Sequence, residues 1–153
     1  MLKVNIDYPT KDEEKLIMRK NLLGEITQKI NAVVTPATII KARESVRSIY
    51  MDDKIENYIL DIVFSSRNPS QYGLSSIAPL VSYGGSPRAT INLALAAKAY
   101  AFIQRRAYVI PEDVRNICKD VMRHRIGITY EAEAENITQD DIVTQILNTV
   151  QVP

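Results

Sequence analysis

The chain has 153 residues, of which 46% are hydrophobic and 24% charged, and this length and composition are those of one globular domain. Its formal net charge of +1 excludes recruitment of nucleic acid or anionic membranes by overall charge. One cysteine and one histidine exclude an intrachain disulfide and a multi-histidine metal site. No apolar run approaches the roughly 20 residues of a membrane span, and the start lacks a signal-peptide layout. We therefore expect a cytoplasmic domain that binds no metal itself.

Residues 2–8 alternate in polarity, with Leu2, Val4, Ile6 and Tyr8 on the apolar side. This period of two predicts a short N-terminal strand. A lone strand before a helical region has no evident partner, and an unpaired edge is a liability. Two interpretations stay open: the strand belongs to a sheet encoded upstream, or the segment is a disordered or locally docked arm.

Four sites carry helix-start patterns, in which a threonine or proline precedes polar or acidic residues and an amphipathic run. Threonine caps the first-turn amides, proline fits the first helical position, and acidic side chains suit the positive pole of the helix dipole. The sites are Thr10 with Glu13, Thr35 with Pro36, Pro111 with Glu112 and Asp113, and Thr138 with Asp141. A further run from Ile55 to Val63 also steps by three and four residues, which indicates another helix.

The segment from Pro87 to Arg105 is rich in alanine and apolar on most sides. This pattern predicts a central helix that its neighbours approach closely. The chain is therefore predicted to be all-α, a helical bundle of about five helices with this helix at its centre.

Two segments do not fit the helical pattern. Residues 67–86 contain glycine and proline and read as a long loop, and such loops are commonly functional or disordered. Ile126–Tyr130 favours β structure, which predicts a small β-hairpin near 126–137 or an arm that faces a partner.

The main candidate site is the stretch from Tyr83 to Ala89. Ser86 reads as an N-cap and Pro87 as the first helical residue, which places Arg88 in the first turn. A cation there opposes the helix dipole by ~0.3–1 kcal/mol. The open amides of a helix start attract anions, and a guanidinium suits phosphate oxygens. The pattern predicts a phosphate site, and the alternative is an Arg88 that points into solvent or pairs with an acid of another helix.

The run GGSPRATINLALAAKAYAFIQRRAYVIPEDV and the later His124–Arg125 resemble the C-terminal lid domain of MoxR-family AAA+ ATPases. In that family an S-P-R motif opens a lid helix, a Y-V-x-P-x-D-V start follows, and an H-R pair closes the third element. The opening LKVNIDYPTKDEE resembles the join between ATPase core and lid. The resemblance implies that residues 1–9 are the end of a core strand and a hinge, and that residues 10–153 are the helical lid domain.

The resemblance also implies a role for each residue of the site. Arg88 corresponds to the sensor-2 arginine, which reaches the γ-phosphate of ATP held by the core. Residues implied in nucleotide binding at the hinge and the helix start are Tyr8, Pro9, Gly84, Gly85 and Ser86. ATP and Mg²⁺ would be bound by the parent protein. The sequence has no G-x-x-x-x-G-K-[ST] phosphate loop, so we expect no ATP hydrolysis by this chain alone.

Lids of AAA+ rings touch a neighbouring subunit, which makes Arg67, Arg123 and Arg125 candidates for a subunit interface. Arg67 is also a candidate nucleotide contact, although the helix dipole explains a cation at a helix end equally well. The implied partners are the protein's own upstream ATPase core, further copies in a homo-oligomeric ring, a protein with a von Willebrand factor A domain, and a client that undergoes chaperone-like remodelling or maturation.

Two other functions compete with this one. A standalone helical protein-interaction module would use Arg88 and the 67–86 segment to bind a partner. A nucleic-acid reader would use the basic residues between 105 and 125, but Glu112, Asp113 and Asp120 dilute them, so a solvated or subunit-contacting face is preferred. Cys118 lies on an apolar face and is expected in the core, and His124 is expected to be structural.

Overall fold

The computed structural model describes residues 1–23 and 31–153, and this part of the chain is predominantly helical. The helices are α1 (Lys11–Leu22), α2 (Pro36–Ser48), α3 (Asp53–Arg67), α4 (Pro87–Ile103), α5 (Pro111–Met122), α6 (Tyr130–Ala134) and α7 (Gln139–Thr149). Two short strands, β1 (Val81–Tyr83) and β2 (Gly127–Ile128), complete it. The predicted all-α class is therefore confirmed, and no described helix has the length and apolar character needed to cross a bilayer.

The predicted helix starts are confirmed by their caps. The hydroxyls of Thr10 and Thr138 accept from the backbone amides three residues on, and the carboxylates of Glu13 and Asp141 accept the threonine amides in return at 2.8 and 2.9 Å. Thr35 accepts from the Thr38 amide at 3.2 Å. These contacts satisfy amides that lack acceptors in a first turn.

The core lies between α3, α5, α7 and one face of α4. That face is a stripe of four fully buried residues at intervals of four, namely Ala89, Leu93, Ala97 and Ala101, and α4 packs against α2, α3 and α5. The opposite face leaves Ile91 and Leu95 exposed. The predicted central helix is thus confirmed for its packing on three neighbours, but it is buried along one stripe only.

The 67–86 segment is a packed connection. It forms two short 3₁₀ turns, at Pro69–Tyr72 and Ala78–Leu80, before entering β1. Leu74, Ile77 and Leu80 are buried in the same core as the helices, which fixes the segment.

The β-favouring stretch near residue 126 forms β2, and its partner is β1. The strands are antiparallel, with Val81 opposite Ile128 and Tyr83 opposite Gly127. A hairpin confined to 126–137 was wrong, because Thr129 caps α6 immediately after β2 by accepting from the Ala132 amide at 3.3 Å.

The predicted strand at residues 2–8 is not formed. Both backbone groups of Lys3 are engaged with the end of α5: its amide donates to Asp120 O at 2.8 Å, and its carbonyl accepts from Arg123 Nη1 at 2.8 Å. The sheet of the described ranges contains β1 and β2 alone, so the segment has no strand beside it. It is docked locally, which was the alternative interpretation, and the division into residues 1–9 and 10–153 stays a prediction.

Candidate functional site

The site is built around the start of α4. Ser86 is the N-cap and Pro87 the first helical residue, as predicted, and the Ala89 amide donates to Ser86 O at 2.7 Å. The Ser86 side chain is exposed and makes no capping hydrogen bond. Because first-turn amides have few intrahelical acceptors, this helix start keeps donors open to an external anion.

Arg88 lies in this first turn and is exposed. Within residues 1–23 and 31–153 its guanidinium makes no hydrogen bond and no salt bridge. Of the two alternatives for this residue, pairing with an acid of another helix does not occur there. Open amides and an unengaged guanidinium therefore share one surface, and both are donors that suit phosphate oxygens.

Gly84 and Gly85 bring the chain against the last turn of α3. A Cβ on Gly84 would lie 2.4 Å from the carbonyl oxygen of Ser66 and 2.6 Å from the Arg67 amide nitrogen, so only glycine fits there. A Cβ on Gly85 would lie 3.1 Å from Ala89 Cβ and 3.2 Å from the terminal methyl of Met122. Gly84 therefore requires a residue without a side chain, whereas a Cβ at Gly85 would require its neighbours to shift by a few tenths of an ångström.

The same turn is held by hydrogen bonds from α3. The Gly85 amide donates to the buried Ser66 Oγ at 2.9 Å, and the Ser66 hydroxyl donates to Val63 O at 2.6 Å. Arg67 Nε donates to Gly85 O, and its guanidinium carbon lies 4.6 Å from the centroid of the Phe64 ring, a cation–π geometry. We call these two hydrogen bonds, which join Gly85 to Ser66 Oγ and to Arg67 Nε, the glycine clamp.

Arg67 was predicted as a nucleotide or interface contact, and the structure places it in the glycine clamp. Ser66 was missed by the sequence analysis. Its one signal is the Ser65–Ser66 pair at the end of the apolar face of α3; both residues are fully buried. Buried hydroxyls require partners, but sequence spacing does not reveal that the partner of Ser66 is Gly85.

Tyr8 and Pro9 are exposed residues of the N-terminal segment. Tyr8 is 98% exposed, Pro9 is exposed, and in the described ranges no hydrogen bond joins either residue to the glycine turn. Their nucleotide-binding role stays a prediction.

Arg123 is engaged within the chain. Its Nε and Nη2 donate to Asp140 at 2.9 and 3.0 Å, and its Nη1 lies 2.9 Å from Asp120 Oδ1. These carboxylates, chiefly through the hydrogen bonds that Asp140 accepts, raise the pKa of Arg123. The guanidinium joins α5 to the start of α7 and to the N-terminal segment, and a subunit contact stays a prediction.

Two further arginines between residues 105 and 125 are also engaged within the chain. Arg106 forms a bidentate pair with the buried Asp113, and Arg115 donates to Leu147 O. Engaged guanidinium groups are poor counterions for a phosphate backbone, which disfavours the nucleic-acid reader.

Arg125 and His124 follow α5. Arg125 is half-buried, and its Nε is buried without an acceptor among the described residues; its predicted interface role is untested. Burial, followed by the nearby charge of Arg125, lowers the pKa of His124. Cys118 is fully buried as predicted, and burial raises the pKa of its thiol to about 12, which leaves it unreactive.

No group of three or more histidine, cysteine, aspartate or glutamate side chains that could hold a metal occurs in the described ranges. The site offers a cation and amide donors, a set that suits an anion.

A family model, curated relatives and a solved structure each match this chain. The AAA lid domain family matches residues 74–146. The chain is 30% identical over its full length to the chaperone MoxR1 of Mycobacterium tuberculosis, covering 40% of that protein, and 33% identical over 105 residues to the protein MoxR of Paracoccus denitrificans, covering 31% of it. The crystal structure of a candidate ATPase from Cytophaga hutchinsonii superposes on the whole chain with a TM-score of 0.92 at 35% identity, and 46% of that chain is covered. The chain thus spans less than half the length of the relatives it matches.

Proposed function

The chain is a lid domain of a MoxR-type AAA+ ATPase, and from that premise we propose that Arg88 is the sensor-2 arginine, which contacts the γ-phosphate of ATP bound by the ATPase core. The observation that carries the proposal is the exposed Arg88 beside the uncapped start of α4, without a partner in the described ranges. A guanidinium left unengaged next to open amides is suited to an anionic ligand from outside the lid.

The role of Arg88 is electrostatic. ATP supplies the phosphoryl group that is transferred, and negative charge on its oxygens must be stabilised as the transfer proceeds. A guanidinium held in place before the reaction stabilises that charge without reorganisation. The backbone that orients Arg88 is set by Gly84, Gly85 and Ser86. The adenine lies beside the hinge residues Tyr8 and Pro9.

The residues present fit the phosphate end of ATP, but they offer no ligand set for Mg²⁺ in the described ranges. We therefore assign Mg²⁺ and the phosphate loop to the ATPase core, and this lid contributes no hydrolysis alone. Closure of the lid on nucleotide would report the nucleotide state to the rest of the protein.

We further propose that the parent protein is a cytoplasmic homo-oligomeric ring that remodels or matures a client protein, with a von Willebrand factor A domain protein as partner. The support is the family and the chaperone named among its relatives. Arg123 and Arg125 are retained as candidate subunit contacts, and Arg125 Nε is a donor that lacks an acceptor in the described chain.

The test is steady-state ATP hydrolysis by the full-length ATPase with Arg88→Ala. Loss of one donor to developing charge lowers kcat by about 10²–10³-fold, and we expect that range for Arg88→Ala. Arg88→Lys keeps the charge but loses the bidentate fork, so it should recover only part of the rate. The matched control is Arg43→Ala, because Arg43 is an exposed arginine of α2.

An Arg88→Ala enzyme with the kcat of the Arg43→Ala control would refute the sensor role. The lid assignment would stand, because it rests on the family comparisons and not on Arg88.

A further inference from the structure

The glycine clamp engages both backbone polar groups of one residue. The Gly85 amide donates to Ser66 Oγ at 2.9 Å, and the Gly85 carbonyl accepts from Arg67 Nε. Ser66 is fully buried and its hydroxyl also donates to Val63 O at 2.6 Å, so its rotamer is fixed by two hydrogen bonds. Gly85 therefore has a defined position relative to the last turn of α3.

Steric contact makes this position narrow. Gly84 lies so close to the Ser66 carbonyl that a Cβ would approach it to 2.4 Å. On its other side, Gly85 is near Ala89 and Met122. The turn is thus confined between the backbone of α3 and the side chains of α4 and α5, and it can move only if α3 moves with it.

The position of Gly85 is transmitted to Arg88 through the short and rigid backbone that connects them. Pro87 fixes its own φ angle, and the Ala89 amide closes the first turn on Ser86 O at 2.7 Å. Ser86 provides no side-chain cap, so the side chains that hydrogen-bond next to the helix start are those that hold Gly85. The residues that hold Gly85 are Ser66 and Arg67.

We propose that Ser66 and Arg67 are positioning residues for Arg88, so that the end of α3 sets the aim of the arginine towards phosphate. Arg67 acts through Gly85, with its guanidinium packed over the Phe64 ring, and does not contact nucleotide. This inference rests on the proposed sensor-2 function of Arg88, and it adds α3 to the elements that control the site.

The test is a set of ATPase measurements on the full-length enzyme carrying Arg67→Ala, Ser66→Ala, Arg88→Ala and the two double variants with Arg88→Ala. A displacement of about 1 Å at a reacting group costs on the order of 10²-fold in rate, so we expect Arg67→Ala to lower kcat by about 10- to 100-fold. Because Arg67→Ala changes the orientation of Arg88 but does not remove the residue, KM for ATP should change by less than about threefold.

The decisive result is non-additivity. Residues that act as one unit give strongly non-additive effects, so the Arg67→Ala/Arg88→Ala enzyme should have the kcat of Arg88→Ala alone. Arg67→Lys keeps a cationic donor for Gly85 O and should recover part of the rate. Arg43→Ala is again the control, and thermal denaturation establishes that each variant is folded.

The failures of the two proposals are distinguishable. An Arg88→Ala enzyme with normal kcat removes the sensor role and the positioning role with it. An Arg88→Ala defect that deepens by the full Arg67→Ala factor in the double variant leaves the sensor role intact and overturns the positioning role. Should Arg67→Ala fail to fold, the Arg67→Lys and Ser66→Ala enzymes, each alone and with Arg88→Ala, decide by the same criterion.

Discussion

The buried pair of Arg106 and Asp113 gives the sharpest test of how this lid is held together. The side chain of Asp113 is 1% exposed and that of Arg106 23% exposed. The carboxylate accepts from both terminal nitrogens of Arg106 and from the Ile110 amide, the last at 2.9 Å. In Asp113→Ala the Ile110 amide loses its acceptor and the guanidinium keeps only the Tyr108 carbonyl, at 3.1 Å. Breaking such a buried pair costs about 3–5 kcal/mol.

The expected loss is large enough to measure directly. A domain of this size loses roughly 2–4 °C of Tm per kcal/mol, so Asp113→Ala should lower the Tm of the 153-residue chain by about 6–20 °C. The control is Glu112→Gln, because Glu112 is an exposed acid of the same helical turn and removing such a charge costs about 0.3–1 kcal/mol. The assay is urea and thermal unfolding at pH 7, followed by circular dichroism.

Replacement of both partners by apolar residues separates pairing from burial. Arg106→Leu/Asp113→Leu leaves no buried charge, and such replacements are often neutral or stabilising. It should recover part of the stability lost in Asp113→Ala, because the Ile110 amide still lacks its acceptor. If the free energy of unfolding of Asp113→Ala lies within about 1 kcal/mol of that of Glu112→Gln, the pair is not desolvated in solution and the reasoning is refuted.

Three further predictions concern single side chains. Gly84→Ala should destabilise the chain more than Gly73→Ala in urea unfolding, because a Cβ at Gly84 meets the backbone of α3. Gly73 has open space around it, and its φ of +74° is a conformation that costs about 1–2 kcal/mol in an L residue. Equal losses of unfolding free energy in the two variants would contradict this. Cys118, with a thiol pKa of about 12, should react with a thiol reagent at pH 8 only after denaturant is added, and fast labelling of the native chain would exclude its burial. The hydrogen bonds from Thr138 lower the pKa of Asp141 below its ordinary value of 3.8. The contribution of Asp141 to stability is therefore present above pH 3.8 and lost as the pH falls through the folded-state pKa. Asp141→Asn should flatten that part of the pH–stability curve, and an unchanged curve would show that the cap does not form.

Local signals predicted most of the helices. Thr10, Thr35 and Thr138 lie where the hydrogen-bonding needs of a first turn select a hydroxyl, and each caps a helix in the structure. The position of Arg88 in a first turn was predicted for the same reason, since it follows from Ser86 and Pro87.

Contacts between distant segments could not be predicted in this way. Gly127 lies opposite Tyr83, but the pairing of two very short strands leaves no period in either sequence. Ser66 and Gly85 meet across the 67–86 segment, and nothing in either residue names the other. Residues 2–8 alternate in polarity, but they form no strand within the described ranges, where β1 and β2 make up the sheet, because a strand needs a neighbour to pair with.

The alanine stripe of α4 has a mechanical consequence. Small side chains at Ala89, Ala97 and Ala101 let α5 and α3 approach the helix closely along its buried face, and close packing leaves little free volume for sliding. A 17-residue helix is about 25 Å long, so a tilt of about 10° at the glycine turn would carry its far end roughly 4 Å. We expect α4 to move as a rigid body. A displacement at the phosphate end would then move Phe102 and Ile103, at the far end of α4, by nearly the full amount.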